Sequence, residues 1–499
     1  MNTKNYRDTL KSTSLFASVQ IVIIAISILK SKTVAIWLGP YGLGIISIFS
    51  SITSMLYSIT NLGLSSSSVK FVAEKNTNNI ELHQVIVALR RWAFATGLIG
   101  MILTIVFSNT ISEYAFKNNS HVVSFIFLSV VVLLNGLSYV NLAIIQGVQK
   151  LKVLAQANIC AALISFVVSV PLYYYYGTKS IVLTLVLSAI SLFVITEYLM
   201  RKYSIVQKGE AISFKNSWLL GLQPIKLGLM ISFSFIAVTV AEFLIKTFIA
   251  KYGGLDDVGL YQAGWTLNAT YLGMVFTAMS TDFFPKLSLI ASNISEVKTK
   301  VNQQAEISLL LLGPLISIMI VSLPFIVQLF FSKDFLEMVT MTRLMLFGSF
   351  LRAGSWAISF IFLAKGNGKL YLFNELSVKA FTIPIYLVLY YYYGLEGIGY
   401  AYIIDQLFYL VWVSVAAWLK YNFYYTFEFY KLLVTIGFFS FLPFLAMQFE
   451  SRSNHLLVVS VFSILVVVIF SLVNLNIRIG IVEMIKNKLR KSKNDFNEE

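Results

Sequence analysis

Charge is what this chain has least of. Only 12% of its 499 residues are Asp, Glu, Lys or Arg, roughly half the share of an ordinary soluble domain. Hydrophobic residues make up 58% and the mean hydropathy is +0.78. The chain is too apolar to wrap one core in a wetted surface and reads as an integral membrane protein. Cysteine is nearly absent. A lone Cys160 excludes an intramolecular disulfide, and its place in an apolar run reads as a small buried side chain. Proline is scarce, which suits long helices. Three histidines, His83, His121 and His455, share no ligand spacing. No Walker A sequence, Gly-x-Gly-x-x-Gly, His-Glu-x-x-His or Cys-x-x-Cys occurs, so neither ATP hydrolysis nor a metal or cofactor site is expected.

What the chain has instead is long apolar runs. They are roughly 20 residues each, the length of a helix that spans hydrocarbon, and a membrane β-strand would need about half of that. Fourteen can be drawn, at residues 15–38, 42–62, 93–110, 122–145, 153–176, 181–200, 227–249, 259–281, 307–331, 344–364, 372–393, 398–419, 432–449 and 455–475. The short basic N-terminus, with Lys4, Arg7 and Lys11, has no cleavage site after it and reads as leading into a retained first span. Most of the 38 Lys and Arg fall in alternate loops and at the ends, which puts both termini in the cytoplasm by the positive-inside rule. The net charge of +15 then needs no nucleic acid, and a basic tail (Arg478, Lys486, Lys488, Arg490, Lys491, Lys493) is expected against anionic lipid. The outside loops, at most residues 111–121 and 332–342, leave no room for an external catalytic domain.

The sequence also repeats. Leu-Tyr-Tyr-Tyr-Tyr-Gly occurs at 172–177 and at 389–394, about 217 residues apart. Lys32-Thr33 with Leu38-Gly39-Pro40 and Gly42-Leu43 parallels Lys246-Thr247 with Tyr252-Gly253-Gly254 and Gly259-Leu260, at about 214. Gln146-Gly147-Val148-Gln149-Lys150-Leu151 parallels Lys365-Gly366-Asn367-Gly368-Lys369-Leu370, at about 219. Three echoes in one order point to a duplicated half, and in a membrane chain to a transporter with its pathway between related bundles. The expected organisation is an N-lobe at 1–215, a C-lobe at 216–425, two extra spans at 426–476 and a cytoplasmic tail at 477–499.

Charges inside the membrane cost several kcal/mol each and usually face a cavity or a partner. They are Lys30 and Lys32 in the first span, Glu242 and Lys246 in the seventh, and Arg352, Lys379 and Asp405 in the tenth to twelfth. Lys30 lies roughly 22 Å from the inner end of its span at 1.5 Å per residue. Both it and Lys32 can snorkel to the outer interface or line an anion-attracting wall. The echo places a cation at Lys246 as at Lys32. Arg352 and Lys379 sit too deep to snorkel easily. An arginine fork and a lysine point charge are suited to phosphate. Lys30, Lys32, Arg352 and Lys379 are therefore candidates for binding an anionic headgroup. Glu242 and Lys246, four apart on one face, and Asp405, whose repeat equivalent is Ser188, are candidates for ion coupling or gating. Each can equally be a structural ion pair, Asp405 with Arg352 or Lys379. Glu197 and Glu375 read as solvated at the cytoplasmic edge, and the tyrosine runs as an aromatic belt.

The stretch Thr13-Ser14-x-Phe16, Val19-Gln20-Ile21, Lys32, Ala35, Leu38-Gly39-Pro40-x-Gly42-x-Gly44 resembles the start of bacterial O-antigen and lipid-linked oligosaccharide flippases. The turn Gln146-Gly147-x-Gln149-Lys150 and its echo at Gly366-Asn367-Gly368-Lys369 look similar too. These belong to the superfamily of the MATE drug exporters and the lipid II flippases. The resemblance implies an all-α polytopic fold of two six-helix lobes plus two C-terminal helices around a cationic cavity, in the bacterial cytoplasmic membrane. It implies a polyprenyl-pyrophosphate-linked oligosaccharide as substrate, membrane lipids as partners and alternating access without ATP. A proton or sodium gradient is the implied drive, and a polysaccharide polymerase and chain-length regulator the implied neighbours.

Two rivals stay open. A MATE-type exporter of organic cations would share the fold but needs an acidic, aromatic cavity, whereas the spans hold five cations against two acids. A membrane polymerase or ligase would need reactive groups on a sizeable external loop.

Overall fold

The structure, a computed structural model, describes Val19 and residues 22–75, 79–205, 213–448 and 454–479. No strand occurs among the described residues. Among the described residues, nine helical stretches are long and apolar enough to cross a membrane. Two of these, Leu151–Lys202 and Gly368–Tyr421, have 52 and 54 residues. Each is twice the length that hydrocarbon requires, and each doubles back at one residue. The basic residues of the tail beyond Ile479 and those of the N-terminus lie outside the described residues.

The chain forms two compact units. The first holds the described residues up to Gln262 together with Gln328–Phe335, and the second holds Ala263–Val327 and the described residues from Leu336 on. In the first unit the helices are α1 (residues 22–37), α2 (Gly39–Thr60), α3 (Leu64–Lys75), α4 (Asn79–Val106), α5 (Ser108–Phe116), α6 (Val122–Gly147), α7 (Leu151–Tyr176), α8 (Ile181–Lys202), α9 (Phe214–Tyr252) and most of α10 (Leu255–Trp265). Leu64, Val72, Ile86, Leu89, Val140, Ile144, Ala157 and Met200 make one buried apolar cluster there, joining α3, α4, α6, α7 and α8. Cys160 is not buried as expected but exposed on α7.

α2 and α10 cross at two glycines. A Cβ on Gly44 would stand 1.9 Å from Leu255 O, and one on Gly259 would stand 1.9 Å from Pro40 O. Ser47 donates to Gln262 Oε1 at 2.9 Å. Gly44 and Gly259 stand 215 residues apart, as do Pro40 and Leu255 and as do Ser47 and Gln262. The two glycine contacts therefore exchange under that register, and the start of one half packs on the start of the other about a local two-fold. No side chain larger than hydrogen fits at either glycine.

The second unit contains α11 (Gly273–Leu289), which follows α10 through a π-helical turn at Thr266–Leu272, then α12 (Ile294–Phe330) up to Val327, α13 (Val339–Ala364), α14 (Gly368–Tyr421), α15 (Phe427–Gln448) and α16 (Asn454–Ile479). α15 and α16 pack on α12 and α13: Ser317 and Ser440 hydroxyls are 2.8 Å apart, and Gly313 lies against Ile436 and Val467. Arg478 was expected to lie against lipid. It donates instead to Glu306 at 3.0 Å and approaches Glu428 at 3.8 Å, because α16 carries it back beside the start of α12.

The backbone repeats where the sequence does, in a register of 217. Gly177 (φ 55°, ψ −138°) and Gly394 (φ 57°, ψ −140°) share a conformation open in practice only to glycine. Each ends a tyrosine run and reverses the chain into the next helix. The turns after α6 and α13 match at the same offset: Lys150 N to Ile145 O as Asn367 N to Phe362 O, with φ 58° at Gln149 and 70° at Gly366. These are helix C-caps with a left-handed residue. The matching of side chains at 219 is therefore two residues out, since Gln149 rather than Gly147 occupies the place of Gly366. The echo at 214 is likewise one residue out, for Gly39 and Gly254, both at positive φ, stand 215 apart.

Candidate functional site

Each hairpin holds a polar locus among apolar helices, half-buried in the first and buried in the second, and the repeat register relates the two. In the first unit, α7 and α8 bring Ser165 and Ser188 hydroxyls to 2.9 Å. Lys30 of α1 donates to Ser165 Oγ at 2.7 Å, and Ser188 donates to Thr184 O at 2.7 Å. The hydroxyl of Ser165 is thus left to donate to Ser188. Lys30 has no carboxylate within ion-pair distance among the described residues.

In the second unit Thr382 and Asp405 occupy the places of Ser165 and Ser188. The two arms of α14 run antiparallel about Gly394, with Phe381 stacked on Phe408 and Trp412 donating to Asn374 at 3.2 Å. This places Lys379 of one arm beside Asp405 of the other, at 3.3 Å. Asp405 Oδ2 also accepts from Gln406 at 3.2 Å and faces the Tyr386 hydroxyl at 3.4 Å. Asp405 Oδ1 is buried with no partner among the described residues, as are Thr382 Oγ1 and, further along the hairpin beside Trp412, Asn374 Nδ2. One oxygen of this carboxylate is thus crowded with donors while the other is bare. Of the two partners expected for Asp405, the hairpin selects Lys379, because Arg352 lies on α13 over the Phe276 ring at 5.3 Å. No acid pairs with Arg352 among the described residues.

The other intramembrane charges are separately satisfied. Lys32 donates to Gln328 O at 2.6 Å and to Phe331 O at 2.5 Å, so it caps a helix C-terminus within the first unit, where a cation is favoured by exposed carbonyls. Lys246, 2% exposed, pairs with Glu242 one turn earlier on α9. In the register of 215 the counterpart of Lys32 is Thr247, and Lys246 points a third of a turn away. The two lysines are therefore neither equivalent nor brought together.

Reasoning from the sequence passed over three acids. Glu197 is not solvated: its side chain is 16% exposed and is held by Arg90 at 2.7 Å and Arg201 at 3.2 Å. Glu375 accepts from Tyr409 at 2.6 Å. Glu306, assigned to a loop, is buried and paired with Arg478. For Glu375 the signal was present, since a tyrosine stood 34 residues on across the recognised Gly394 reversal. The tyrosine runs divide as a belt would: Tyr173 and Tyr390 are buried, while Tyr174–Tyr176 and Tyr391–Tyr393 are exposed.

A family model described as "Polysaccharide biosynthesis protein" matches residues 34–340. The chain belongs to the polysaccharide biosynthesis protein family. Within it, the chain is similar to the lipid III flippase of Escherichia coli (strain K12), with 22% identity over 374 residues covering 72% of this chain and 86% of that protein. Its fold is similar to that of the lipid II flippase MurJ in an inward closed conformation, at a TM-score of 0.67 and 16% identity, covering 93% of this chain and 99% of that one. It is similar to the same degree, TM-score 0.67 at 15% identity over 83% and 98%, to an inward-facing multidrug resistance MATE family transporter of the MOP superfamily. At such identities the likeness establishes the fold, an all-α, multi-pass membrane architecture of the MATE-like kind. It does not choose between a lipid-linked and a drug substrate, so that choice falls to the charges.

Proposed function

We propose that this member of the family is a flippase. It moves a polyprenyl-pyrophosphate-linked oligosaccharide, the repeat unit of a surface polysaccharide, from the inner to the outer leaflet of the bacterial cytoplasmic membrane by alternating access. The observation that carries this reading is that two intramembrane cations, Lys30 and Arg352, have no acidic partner among the described residues. A cation exporter has no use for unneutralised positive charge among its spans, whereas a pyrophosphate entering hydrocarbon must exchange water for fixed cations. The family and the lipid III and lipid II flippases that it resembles support the same substrate class, and a role in transport rather than catalysis.

On this reading Lys30 in the first unit and Arg352 in the second each offer a cation to the headgroup, and Lys379 becomes available when Asp405 releases it. The bare Oδ1 of Asp405 is where a proton or sodium ion would bind to free that lysine, which couples the gradient to the anion. Lys32 and the Glu242–Lys246 pair act as gates, by making and breaking the contacts described above. The halves at 1–215 and 216–425 would rock as lobes, with both termini in the cytoplasm and a polymerase and chain-length regulator as downstream partners. The test is the sidedness of the lipid-linked repeat unit in a strain lacking this protein. Accumulation of the complete unit on the inner leaflet is expected. Normal translocation with no second flippase present would turn the assignment to drug export, and a translocated but unpolymerised unit would turn it to an enzyme.

A further inference from the structure

One cavity of the first unit lies apart from every charge discussed so far. It encloses about 420 Å³ between the last turns of α2, the start of α3, the α6 stretch from Tyr139 to Gln146 and two residues of α9, Ser232 and Phe235. That volume is within the range of small-molecule sites, roughly 300–1,000 Å³. No charged residue lines it, yet Tyr57, Asn61, Ser65, Tyr139, Gln146 and Ser232 all bring hydroxyls or amides to its wall.

These polar groups satisfy one another only in part, for the Tyr57 hydroxyl donates to Ser65 Oγ at 3.3 Å. Asn61 is 7% exposed, its Nδ2 donates to Ser65 Oγ at 3.0 Å, and its Oδ1 has no partner. A dry amide oxygen is unfavourable unless something supplies a donor. The site is also preformed. Leu62 and Gly63 turn the chain at positive φ beside Asn61, and a Cβ on Gly63 would stand 2.1 Å from Gly228 O of α9. Tyr57 and Tyr139 rings lie 5.2 Å apart, tilted by 56°, as two neighbouring walls.

Aromatic faces, neutral amides and hydroxyls without charge suit an uncharged sugar. Its C–H face packs on a ring while its hydroxyls exchange hydrogen bonds with amides that both donate and accept. A phosphate would find no cation here. We propose that this cavity is a saccharide subsite, taking one uncharged pyranose of the headgroup against the wall that the touching rings of Tyr57 and Tyr139 form together, with Asn61 and Gln146 reading its hydroxyls. The proposal rests on the flippase reading and adds that sugar and pyrophosphate are gripped at separate places. Gln146, singled out as part of a repeated motif, thereby has a use that its turn alone does not require.

The test uses the full chain in nanodiscs and, as probe, the reducing oligosaccharide freed by mild acid from the cell's own lipid-linked precursor, which carries sugar and no pyrophosphate. Saturation-transfer NMR should detect binding that inorganic pyrophosphate does not displace. Asn61→Ala and Gln146→Ala should each weaken it about tenfold, about 1.4 kcal/mol, while Tyr391→Phe leaves it unchanged. Asn61→Ala also removes a buried hydrogen bond, so the exposed Gln146 supplies the variant that tests the site with the fold intact. Undiminished binding in Gln146→Ala and Asn61→Ala, displacement by pyrophosphate, or no binding by the wild type would overturn the subsite. The flippase reading fails on a different result, correct precursor sidedness in the deletion strain.

Discussion

Lys379→Met is the most informative perturbation of the second unit, because the two members of its ion pair are unequally buried. The Asp405 side chain is 3% exposed and that of Lys379 is 31% exposed. Removing the lysine leaves a carboxylate inside α14 with only Gln406 at 3.2 Å and the Tyr386 hydroxyl at 3.4 Å on Oδ2, and nothing on Oδ1. Breaking a buried pair from one side costs about 3–5 kcal/mol. Partial hydration at the lysine end argues for the lower figure, about 3 kcal/mol. Asp405→Asn is milder: the lysine it leaves is 31% exposed rather than buried, and the amide keeps hydrogen bonds, so the loss is about 1 kcal/mol. The double variant Lys379→Met/Asp405→Asn buries no lone charge and should be more stable than Lys379→Met alone. Melting followed by size-exclusion chromatography in detergent is the assay. We expect Lys379→Met to lose roughly 5 °C and the double variant to recover most of it. Equal losses in the two single variants, or strict additivity in the double, would refute the unequal burial on which the estimate depends.

Gly44→Ala should lower stability by about 1–3 kcal/mol or more, since its methyl would meet Leu255 O at 1.9 Å and the crossing must open. Gly259→Ala should cost the same, and expression with thermal melting measures both. Gly177→Ala and Gly394→Ala meet no atom within 4 Å, so their cost is conformational, about 1–3 kcal/mol. It should be equal at the two sites because the dihedrals are. Within the tyrosine runs, Tyr391→Phe should be silent in surface polysaccharide and in melting, whereas Tyr390→Ala removes a residue only 3% exposed and should cost about 3 kcal/mol.

The fold was legible because its signals are local or periodic. Run length marks each span, and the Leu-Tyr-Tyr-Tyr-Tyr-Gly echo marks a reversal whose backbone angles at Gly177 and Gly394 agree to a few degrees. Register was less legible. Matching like side chains paired Gly147 with Gly366 and Lys32 with Lys246, whereas the caps pair Gln149 with Gly366 and the α2–α10 crossing pairs residues 215 apart. What repeats is a backbone conformation, and a left-handed cap accepts Gln at one site and Gly at the other. Pairing within a span could be read, as for Glu242 and Lys246, and the Asp405 partner could be narrowed to two. Charge pairs formed across distant helices, such as Arg90 with Glu197 or Arg478 with Glu306, carry no local signal. The cavity around Asn61 was invisible for a further reason: Ser, Asn, Gln and Tyr at helix ends look like ordinary caps and belts until tertiary packing leaves one amide oxygen unsatisfied.

The duplication makes its own point about mechanism by what it does not repeat. Ser165 and Ser188 in one hairpin stand where Thr382 and Asp405 stand in the other, so the two loci are alike in backbone and different in charge, a lone cation at the first and a neutral ion pair at the second. The first has no acid to pair with a cation, and Lys30 arrives there from α1 with only a hydroxyl to hold it. The second carries its own lysine and its own acid. A locus whose lysine has no acid beside it can attract an anion, but it has no internal partner that could switch it. A lysine held by a carboxylate can be switched by any cation that takes the carboxylate's free oxygen, and Asp405 Oδ1 is such an oxygen. Two identical halves could bind a pyrophosphate symmetrically, yet neither could release it in response to an ion. Asp405→Asn should therefore abolish any dependence of flipping on the ion gradient while leaving Lys30 to bind substrate. Gradient dependence retained in that variant, measured as precursor sidedness in cells treated with and without an ionophore, would remove Asp405 from the coupling path.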